Sequence, residues 1–432
     1  MLFNGQRAHF LRRGSTELSY STGMAETVKT KGRQKKNFTA ATSSVGQASS
    51  LSDRQDACPT VGPELARIRE KLIRGVRLTR QDGLRMFQSN DLLGLGALAR
   101  WVAQQKHGNR VCYVVNGHVN YTNYCILGCS FCSFFRRKDT DKRPGGYQLS
   151  LAQVVQRADE IAAGGATEIH CVGGLHPDLP FSYYLEMLRE IRRRHPRIGL
   201  KFFTASEVLH FSRLARITPK ETLLALREAG LDTLPGGGAE ILDDRLRRRL
   251  CPGKESSAAW LKLHAEAHKL GIRSNATMLY GHVETPAQRV DHMLRLRELQ
   301  DQTGGFLAFV PLSYHPANNA LPVAHGPSAL DELRTHAIAR LLLDNFPHIK
   351  AYWVTLTVPV AQIALAYGAT DFDGTVLNEE VHHTAGSAAP QALEVKTLQR
   401  LIREAGCEPV ERNHLYRRVL REGNGPGEWR VV

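Results

Sequence analysis

Short apolar segments alternate with longer amphipathic segments between residues 111 and 316. The apolar segments predict strands at 111–116, 168–172, 200–204, 232–234, 273–278 and 305–312. Between them, apolar residues recur every three or four positions and predict helices at 151–163, 182–195, 219–229, 257–270 and 286–303. Strands separated by such helices indicate βαβ units and a parallel sheet. Six units are too few for a closed eight-unit barrel, so we predict an α/β fold with a partial (β/α)6 barrel of the TIM type, open on one side.

The segments outside this core predict four further regions. We expect a helical N-terminal extension at 56–110, a C-terminal capping region at 317–420 and a flexible tail at 421–432 that is rich in Gly and Pro. The capping region contains a predicted helix at 329–345 and a predicted strand at 351–354. Residues 1–55 are basic, rich in Ser, Thr and Gly, and lack apolar periodicity, which predicts a disordered tail.

The basic tail allows several interpretations. It resembles a transit peptide or a nucleic-acid-binding arm in composition, and it also fits a start codon assigned upstream of Met24 or a dispensable extension. We favour the last two, because the remaining positive charge is spread along helices without interleaved aromatic residues. We therefore expect no nucleic-acid partner. We also expect no membrane partner, because no segment approaches the roughly 20 apolar residues of a membrane span.

Three cysteines follow the first predicted barrel strand within eight residues. Cys125, Cys129 and Cys132 have the spacing Cys-x3-Cys-x2-Cys in the segment 123–132, which we call the cysteine loop. Three thiolates can hold three corners of a 4Fe–4S cluster and leave one iron open, as in a catalytic metal site. A zinc site would need a fourth ligand, and the nearest histidines are His118 and His170; three unrelated buried cysteines are the other alternative. A thiolate cluster favours a reducing compartment, so we expect a cytoplasmic location.

The remaining five cysteines show no such clustering. We expect them to be small core residues. They are Cys58, Cys112, Cys171, Cys251 and Cys407.

Glycine-rich or polar motifs end the next strands. Gly173-Gly174 follows the second strand, Glu207 follows the third, and the segment 235–240, with three consecutive glycines and Glu240, follows the fourth. Because parallel strands place their carboxyl ends at one edge, these motifs predict a common site. Glycines permit close backbone approach to a ligand. Glu207 also fits a carboxylate at a helix N-terminus, and that alternative stays open.

The fifth and sixth strands carry polar side chains at the same edge. Asn275 lies on the fifth strand and His282 follows it, whereas Tyr314 and His315 follow the sixth. Histidine in an apolar setting is often a core residue, so both histidines have a structural alternative. Five successive strand ends with such residues indicate one active-site mouth.

The cysteine motif, with Phe131 directly before its last cysteine, resembles that of radical S-adenosylmethionine (SAM) enzymes. Within that superfamily the chain is similar, over about residues 65–415, to the aminofutalosine synthase family of the futalosine route to menaquinone. The segments that carry this resemblance are 123–132, 172–180, 234–240, 274–286, 303–306, 344–353 and 373–375. Two sister families, the dehypoxanthine futalosine cyclases and the radical half of deazaflavin synthase, share much of this pattern. A zinc-binding regulatory module is the alternative from another class.

The resemblance implies a role for each motif. It implies that the three cysteines hold one 4Fe–4S cluster, whose open iron binds SAM, and that His282, Tyr314 and His315 are catalytic. It implies a SAM site that comprises Phe131, Gly173, Gly174, Glu207, Gly237, Gly238, Glu240 and Asn275. The implied reaction adds the 5′-deoxyadenosyl radical of SAM to 3-[(1-carboxyvinyl)oxy]benzoate and gives aminofutalosine, methionine and bicarbonate. An electron donor such as flavodoxin or ferredoxin is the implied protein partner.

Overall fold

A seven-stranded parallel sheet forms the centre of the protein, for which a computed structural model describes residues 58–422 and 428–432. Its strand order is β2-β3-β4-β5-β6-β7-β8, with β2 and β8 at the two edges. The strands are β1 (Arg110–Val114), β2 (Asn116–Val119), β3 (Glu168–Cys171), β4 (Gly199–Phe202), β5 (Thr233–Leu234), β6 (Arg273–Tyr280), β7 (Phe306–Ser313), β8 (His348–Ile349), β9 (Asp371–Gly374), β10 (Glu408–Glu411), β11 (Val419–Arg421) and β12 (Trp429–Val431). The predicted open parallel α/β barrel is confirmed, and β8 adds a seventh strand to the six predicted.

Helices connect the successive strands of this sheet. They are Leu151–Ala163, Phe181–Arg194, Ala205–Ala215, Pro219–Ala229, Asp244–Leu250, Ser257–Lys269, Pro286–Thr303 and Ala329–Leu342. Several begin at a capping box, in which a Ser or Thr and the Glu or Gln three residues later satisfy each other's backbone N–H; Thr204 with Glu207 and Thr218 with Glu221 are two examples. The six helices predicted from 151 onwards begin within one residue of their predicted starts, whereas Ala205–Ala215 and Asp244–Leu250 were not predicted.

Further helices lie before and after the barrel. The N-terminal ones are Ala66–Ile73, Arg80–Gln88 and Leu92–His107, and the C-terminal ones are Trp353–Leu356, Val358–Ala364, Val381–Thr384 and Val395–Glu404. The longest N-terminal helix, Leu92–His107, packs against Ala329–Leu342. No described helix is both long enough and apolar enough to cross a membrane.

The single strand predicted at 111–116 is two strands that belong to different sheets. β1 pairs in parallel with β9 and β10 in a separate three-stranded sheet, whereas β2 is the first strand of the barrel. Thr375, in the loop after β9, binds the chain where β1 ends and β2 begins. Its hydroxyl donates to the carbonyl of Asn116 at 2.6 Å and accepts from the Asn116 N–H at 2.9 Å. Nothing within the apolar run 111–115 signals the change of sheet.

The strand predicted at 351–354 is wrong. Trp353–Leu356 is a short helix, and the strand lies earlier, at His348–Ile349, where it pairs with β7. In the predicted flexible tail, Trp429–Val431 forms β12 and pairs antiparallel with Val419–Arg421. Residues 1–55, predicted to be disordered, lie outside the described residues. The division of the chain into domains therefore stays a prediction.

Candidate active site

A cavity of about 320 Å³ lies at the carboxyl ends of the barrel strands, a size typical of small-molecule sites. Twelve of the fourteen site residues predicted from the sequence line it: Cys125, Cys129, Phe131, Cys132, Gly173, Gly174, Gly237, Gly238, Glu240, Asn275, Tyr314 and His315. Glu207 and His282 do not line it. The structure thus gathers residues that lie on or after five strands around one space, and the role of each residue stays a prediction.

The cysteine loop is held to its surroundings by backbone hydrogen bonds. The Ile126 N–H donates to the carbonyl of Leu175 at 3.0 Å, and the Ser130 N–H donates to the carbonyl of Leu250 at 2.8 Å. The loop is therefore fixed both to the turn after β3 and to the helix Asp244–Leu250. This support fixes the three thiols before a metal binds.

The three thiols fit the cluster that the family uses. They share one cavity wall, and burial raises the pKa of Cys132 to about 12, so the thiol is neutral until metal charge stabilises the thiolate. Within the described residues, no three Cys, His, Asp or Glu side chains converge as ligands of a single metal ion. A 4Fe–4S cluster makes a different demand, because each thiolate binds a different iron atom.

Cys251 lies beside the cysteine loop, and its thiol hydrogen-bonds with that of Cys129. The sequence predicts Cys251 to be an ordinary core residue, and it is indeed 2% exposed. Its position follows from the helix Asp244–Leu250, whose C-terminal residue accepts the Ser130 hydrogen bonds. Cys251 does not line the cavity, so the thiols of Cys125, Cys129 and Cys132 face the cavity without it.

Gly174 is required by close packing. A Cβ at this position would lie 2.2 Å from the carbonyl oxygen of Tyr124, on the cysteine loop. Its N–H donates to the carbonyl of Thr122 at 2.8 Å. Within the described residues, the carbonyl oxygens of Gly173 and Gly174 accept no hydrogen bond. Both are therefore available to the ammonium group of a ligand.

Glu207 does not line the cavity, and its carboxylate is bound within the protein; its predicted contact with SAM stays a prediction. One carboxylate oxygen accepts hydrogen bonds from the Tyr121 hydroxyl at 2.7 Å and from the Gly173 N–H at 3.0 Å. The other accepts from the N–H and hydroxyl of Thr204, both at 2.7 Å. Burial raises the pKa of Glu207. Its oxygens are engaged within the protein, so the helix-terminus alternative describes it better.

Close packing also leaves little room for side chains at the glycines after β5. A Cβ on Gly238, whose φ is +91°, would lie 2.6 Å from the Ser206 hydroxyl, and one on Gly237 would lie 2.8 Å from Thr204. The absence of side chains lets this segment pass close to the end of β4. The segment lines the cavity together with Thr204, Ser206 and Glu240.

Glu240 forms a buried ion pair that the sequence did not reveal. Lys254 Nζ lies 2.5 Å from Glu240 Oε1 and 6.0 Å from the centre of the Phe131 ring. Burial alone would raise the pKa of Glu240, but Lys254 outweighs it and holds that pKa below its usual value. Lys254 also lines the cavity, directly beside the cysteine loop. It lies in a loop without periodicity, so only the fold reveals its position.

His282 does not line the cavity, and its catalytic role stays a prediction. Its side chain is fully buried, its Nε2 lies 3.1 Å from the carbonyl oxygen of Leu279, and its ring packs edge-on against Tyr314 at 6.0 Å. It therefore positions Tyr314, which does line the cavity. His315 also lines it, and its Nε2 lies 3.1 Å from the carbonyl oxygen of Thr355.

The sequence analysis did not identify a cluster of polar residues at the inner end of the cavity. Its members lie on or beside barrel strands and in the C-terminal region: His118, His170, Lys201, Lys350, Tyr352, Asp373, Glu379 and His382. One signal was available, because Lys201 stands between Leu200 and Phe202 in an apolar strand, where a charge demands a partner.

Two family models together match most of the described chain. The "Radical SAM superfamily" model matches residues 119–296, and the "CofH/MqnC C-terminal region" model matches residues 303–422. The first covers the cysteine loop and the strands β3 to β6 of the barrel. The second covers β7, β8 and the C-terminal residues of the cavity.

Known proteins are similar to the chain over most of its length. The aminodeoxyfutalosine synthase of Thermus thermophilus is 48% identical over 361 residues, which cover 83% of this chain and 96% of that protein. The aminodeoxyfutalosine synthase of Streptomyces coelicolor is 42% identical over 370 residues, covering 83% and 95%. The crystal structure of methylornithine synthase matches the fold with a TM-score of 0.64 and 19% identity, covering 79% of this chain and 96% of that one.

These comparisons agree with the site. The radical SAM model includes the three cysteines and the glycine motifs that line the cavity. Members of this superfamily bind a 4Fe–4S cluster and SAM, and the thiols present fit that cluster. The chain belongs to the radical SAM superfamily and, within it, to the aminodeoxyfutalosine synthases, the enzymes of the futalosine pathway of menaquinone biosynthesis.

Proposed function

We propose that the protein adds the 5′-deoxyadenosyl group of SAM to the enol-ether carbon of 3-[(1-carboxyvinyl)oxy]benzoate and yields aminofutalosine, with release of methionine and bicarbonate. SAM is consumed as a co-substrate in this reaction. The relatives' names support the product, and the resemblance of the segments 180–185, 274–277 and 311–316 to the synthase family supports the substrate.

One observation carries the proposal: the cysteine thiols and the polar residues of the inner end line the same cavity. The radical source and the acceptor must lie within contact distance, because positioning supplies much of the catalysis in such a reaction. A cavity that joins the cysteine loop to the barrel interior meets this requirement.

The residues beside the cysteine loop are proposed to hold SAM. The bound cluster supplies the electron that cleaves SAM. The carbonyls of Gly173 and Gly174 are free to accept hydrogen bonds from the ammonium group of SAM, and Phe131 offers an apolar face. The side-chain amide of Asn275 makes no hydrogen bond within the described part of the chain, so it is free to bind SAM or substrate.

An electron donor such as flavodoxin or ferredoxin is the proposed protein partner, and the cytoplasm is the proposed location. The segment that follows the cysteine loop supports an acidic partner, because 136–143 contains five basic and two acidic residues. Arg137 also binds the loop itself through the carbonyl of Ile126. A basic surface favours association with an acidic protein.

The test is a product analysis under anaerobic conditions. The reconstituted protein is incubated with SAM, dithionite and 3-[(1-carboxyvinyl)oxy]benzoate, and the products are identified by mass spectrometry. We expect aminofutalosine and methionine from the wild type and neither from Cys129→Ala. Cleavage of SAM to 5′-deoxyadenosine without a nucleoside–benzoate adduct would contradict the proposal.

A further inference from the structure

We infer that the inner end of the cavity binds the ring carboxylate of the aromatic substrate. This inference rests on the proposed function and assigns one part of the substrate to named residues. The polar floor, as we call this site, consists of His118, His170, Lys201 and Lys350. All four line the cavity, and the exposed fractions of His118, Lys201 and Lys350 are 5%, 4% and 3%.

The sheet register places three of these side chains in one row. His118 on β2 is paired with His170 on β3, and His170 is paired with Lys201 on β4. The two imidazole rings pack against each other with their centres 4.4 Å apart. Lys350 directly follows β8, at the opposite edge of the open sheet. A ligand at this level of the barrel therefore meets donors from both sides.

The two lysines retain unused donors. Lys201 forms an ion pair with Glu168, and Lys350 Nζ lies 2.7 Å from Asp373 Oδ1. Each makes only this one side-chain hydrogen bond within the described residues, whereas an ammonium group has three N–H donors. Buried donors without acceptors are unfavourable, so each lysine can accommodate a further acceptor in the cavity.

The two histidines are also available to a ligand. Within residues 58–422 and 428–432, neither ring takes part in a hydrogen bond, although both line the cavity. Burial favours the neutral imidazole in both and lowers the pKa of His118 to about 4. A neutral imidazole carries one N–H donor. The polar floor thus offers ammonium and imidazole donors to one acceptor group.

Nearby carboxylates do not close the site against an anion. Glu168 is shared between Lys201 and Arg412, and Asp371 is bound by Arg412 at 2.9 Å and by the Tyr416 hydroxyl. Two further carboxylates, Asp373 and Glu379, line the cavity themselves. Asp373 is paired with Lys350, and Glu379 accepts a hydrogen bond from the His382 N–H at 3.0 Å and lies 3.0 Å from His383 Nδ1. All four carboxylates are therefore engaged within the protein. A planar carboxylate with two oxygens is the ligand that several convergent N–H donors prefer.

The position of the floor decides which carboxylate it binds. The carboxylate of the enol ether is attached to the reacting alkene, so it must stay near the SAM side of the cavity. The ring carboxylate is meta to the ether oxygen and is the part of the substrate that can extend away from SAM. Anchoring it at the floor leaves the alkene directed towards the cysteine loop.

Ligand binding tests this assignment without turnover. The holoenzyme with SAM, and without reductant, is titrated anaerobically by calorimetry with the substrate, with an analogue that lacks the ring carboxylate, and with an analogue that carries a carboxamide there. We expect the wild type to bind the substrate at least tenfold more tightly than either analogue. Equal binding of all three, or binding of none, would overturn the inference.

Two variants locate the contact. Lys201→Met combined with Glu168→Gln removes the Lys201–Glu168 ion pair and also the Glu168 contact with Arg412, which keeps its ion pair with Asp371. His118→Phe removes the ring nitrogens without removing a charge. Both should lower the preference for the ring carboxylate several-fold and leave the affinity for the truncated analogue unchanged. His325→Phe, an exposed histidine, is the matched control and should keep the full preference. An unchanged preference in both floor variants overturns the inference.

Two measurements distinguish a folding defect, or a different reaction, from a failure of the polar floor to bind the ring carboxylate. Iron content and SAM binding confirm that each variant is folded, and if one variant fails this check, the other variant and the wild-type analogue series decide. A wild type that forms aminofutalosine but shows no preference for the ring carboxylate contradicts the floor alone. A wild type that shows the preference, loses it in the variants, and forms a different product contradicts the proposed function alone.

Discussion

The carboxylate of Glu207 accepts a hydrogen bond from the Gly173 N–H at 3.0 Å and so ties the helix after β4 to the turn after β3. Its remaining acceptor positions are occupied by Tyr121 and Thr204. The same residue therefore caps a helix and fixes the glycine motif beside the cysteine loop. The arrangement makes Glu207 a supporting residue of the proposed SAM site.

Replacing Glu207 by alanine should lower the free energy of unfolding by about 3 kcal/mol, because buried donors on Tyr121, Gly173 and Thr204 lose their acceptor. Denaturant unfolding of the purified protein measures the loss. Glu221→Ala removes the equivalent carboxylate from an exposed capping box and should cost clearly less. Equal losses would show that the contacts to Tyr121 and Gly173 contribute nothing.

Alanine replacement of Cys125, Cys129 or Cys132 should abolish bound iron, because a cluster with two protein thiolates is labile. Cys251→Ala is the sharpest control, since its thiol hydrogen-bonds with Cys129 but does not line the cavity. It should retain iron and visible absorption after anaerobic reconstitution. Loss of iron in Cys251→Ala would mean that four thiolates hold the cluster and that the open-iron arrangement is wrong.

Lys254→Met should destabilise the protein by about 3–5 kcal/mol, because it leaves the Glu240 carboxylate buried without its cation. Adding Glu240→Gln should restore part of that loss, since the uncompensated charge is then gone. Unfolding curves of both variants provide the measurement. If the double variant is as unstable as the single one, packing of Lys254 against Phe131, and not charge, explains the effect.

His383 should stabilise the protein in a pH-dependent way. Its hydrogen bond with Glu379 raises the pKa of His383 from 6.5 to about 9. Because the folded state binds the proton more tightly, the stabilisation is complete below pH 6.5 and disappears as the pH rises through about 9. The stability difference between wild type and His383→Gln should therefore shrink across this interval. A constant difference across this interval would contradict the ion pair.

The general position of the site was predictable because it follows from sheet geometry. Parallel strands bring their carboxyl ends together, so motifs after successive strands had to meet. The direction of individual side chains was not predictable, since packing decides it: Glu207 turns to Tyr121 and His282 packs behind Tyr314. Residue type alone does not distinguish a wall residue from its support.

Long-range pairing explains the other differences. β1 separates from β2 because its partners, β9 and β10, lie roughly 260 and 300 residues later in the chain. The polar floor was missed because His118, His170 and Lys201 come from three separate strands, and only the register aligns them. Such alignments depend on the assembled sheet and leave little trace in local periodicity.

The fate of the adenosyl carbon tests the proposed reaction most directly. SAM labelled with carbon-13 at C5′ is incubated anaerobically with the holoenzyme, reductant and 3-[(1-carboxyvinyl)oxy]benzoate, and the products are separated and analysed by mass spectrometry. If the adenosyl group is transferred, the label appears in aminofutalosine. If the label is recovered in free 5′-deoxyadenosine and no nucleoside–benzoate adduct forms, the enzyme abstracts hydrogen and the proposed addition is wrong.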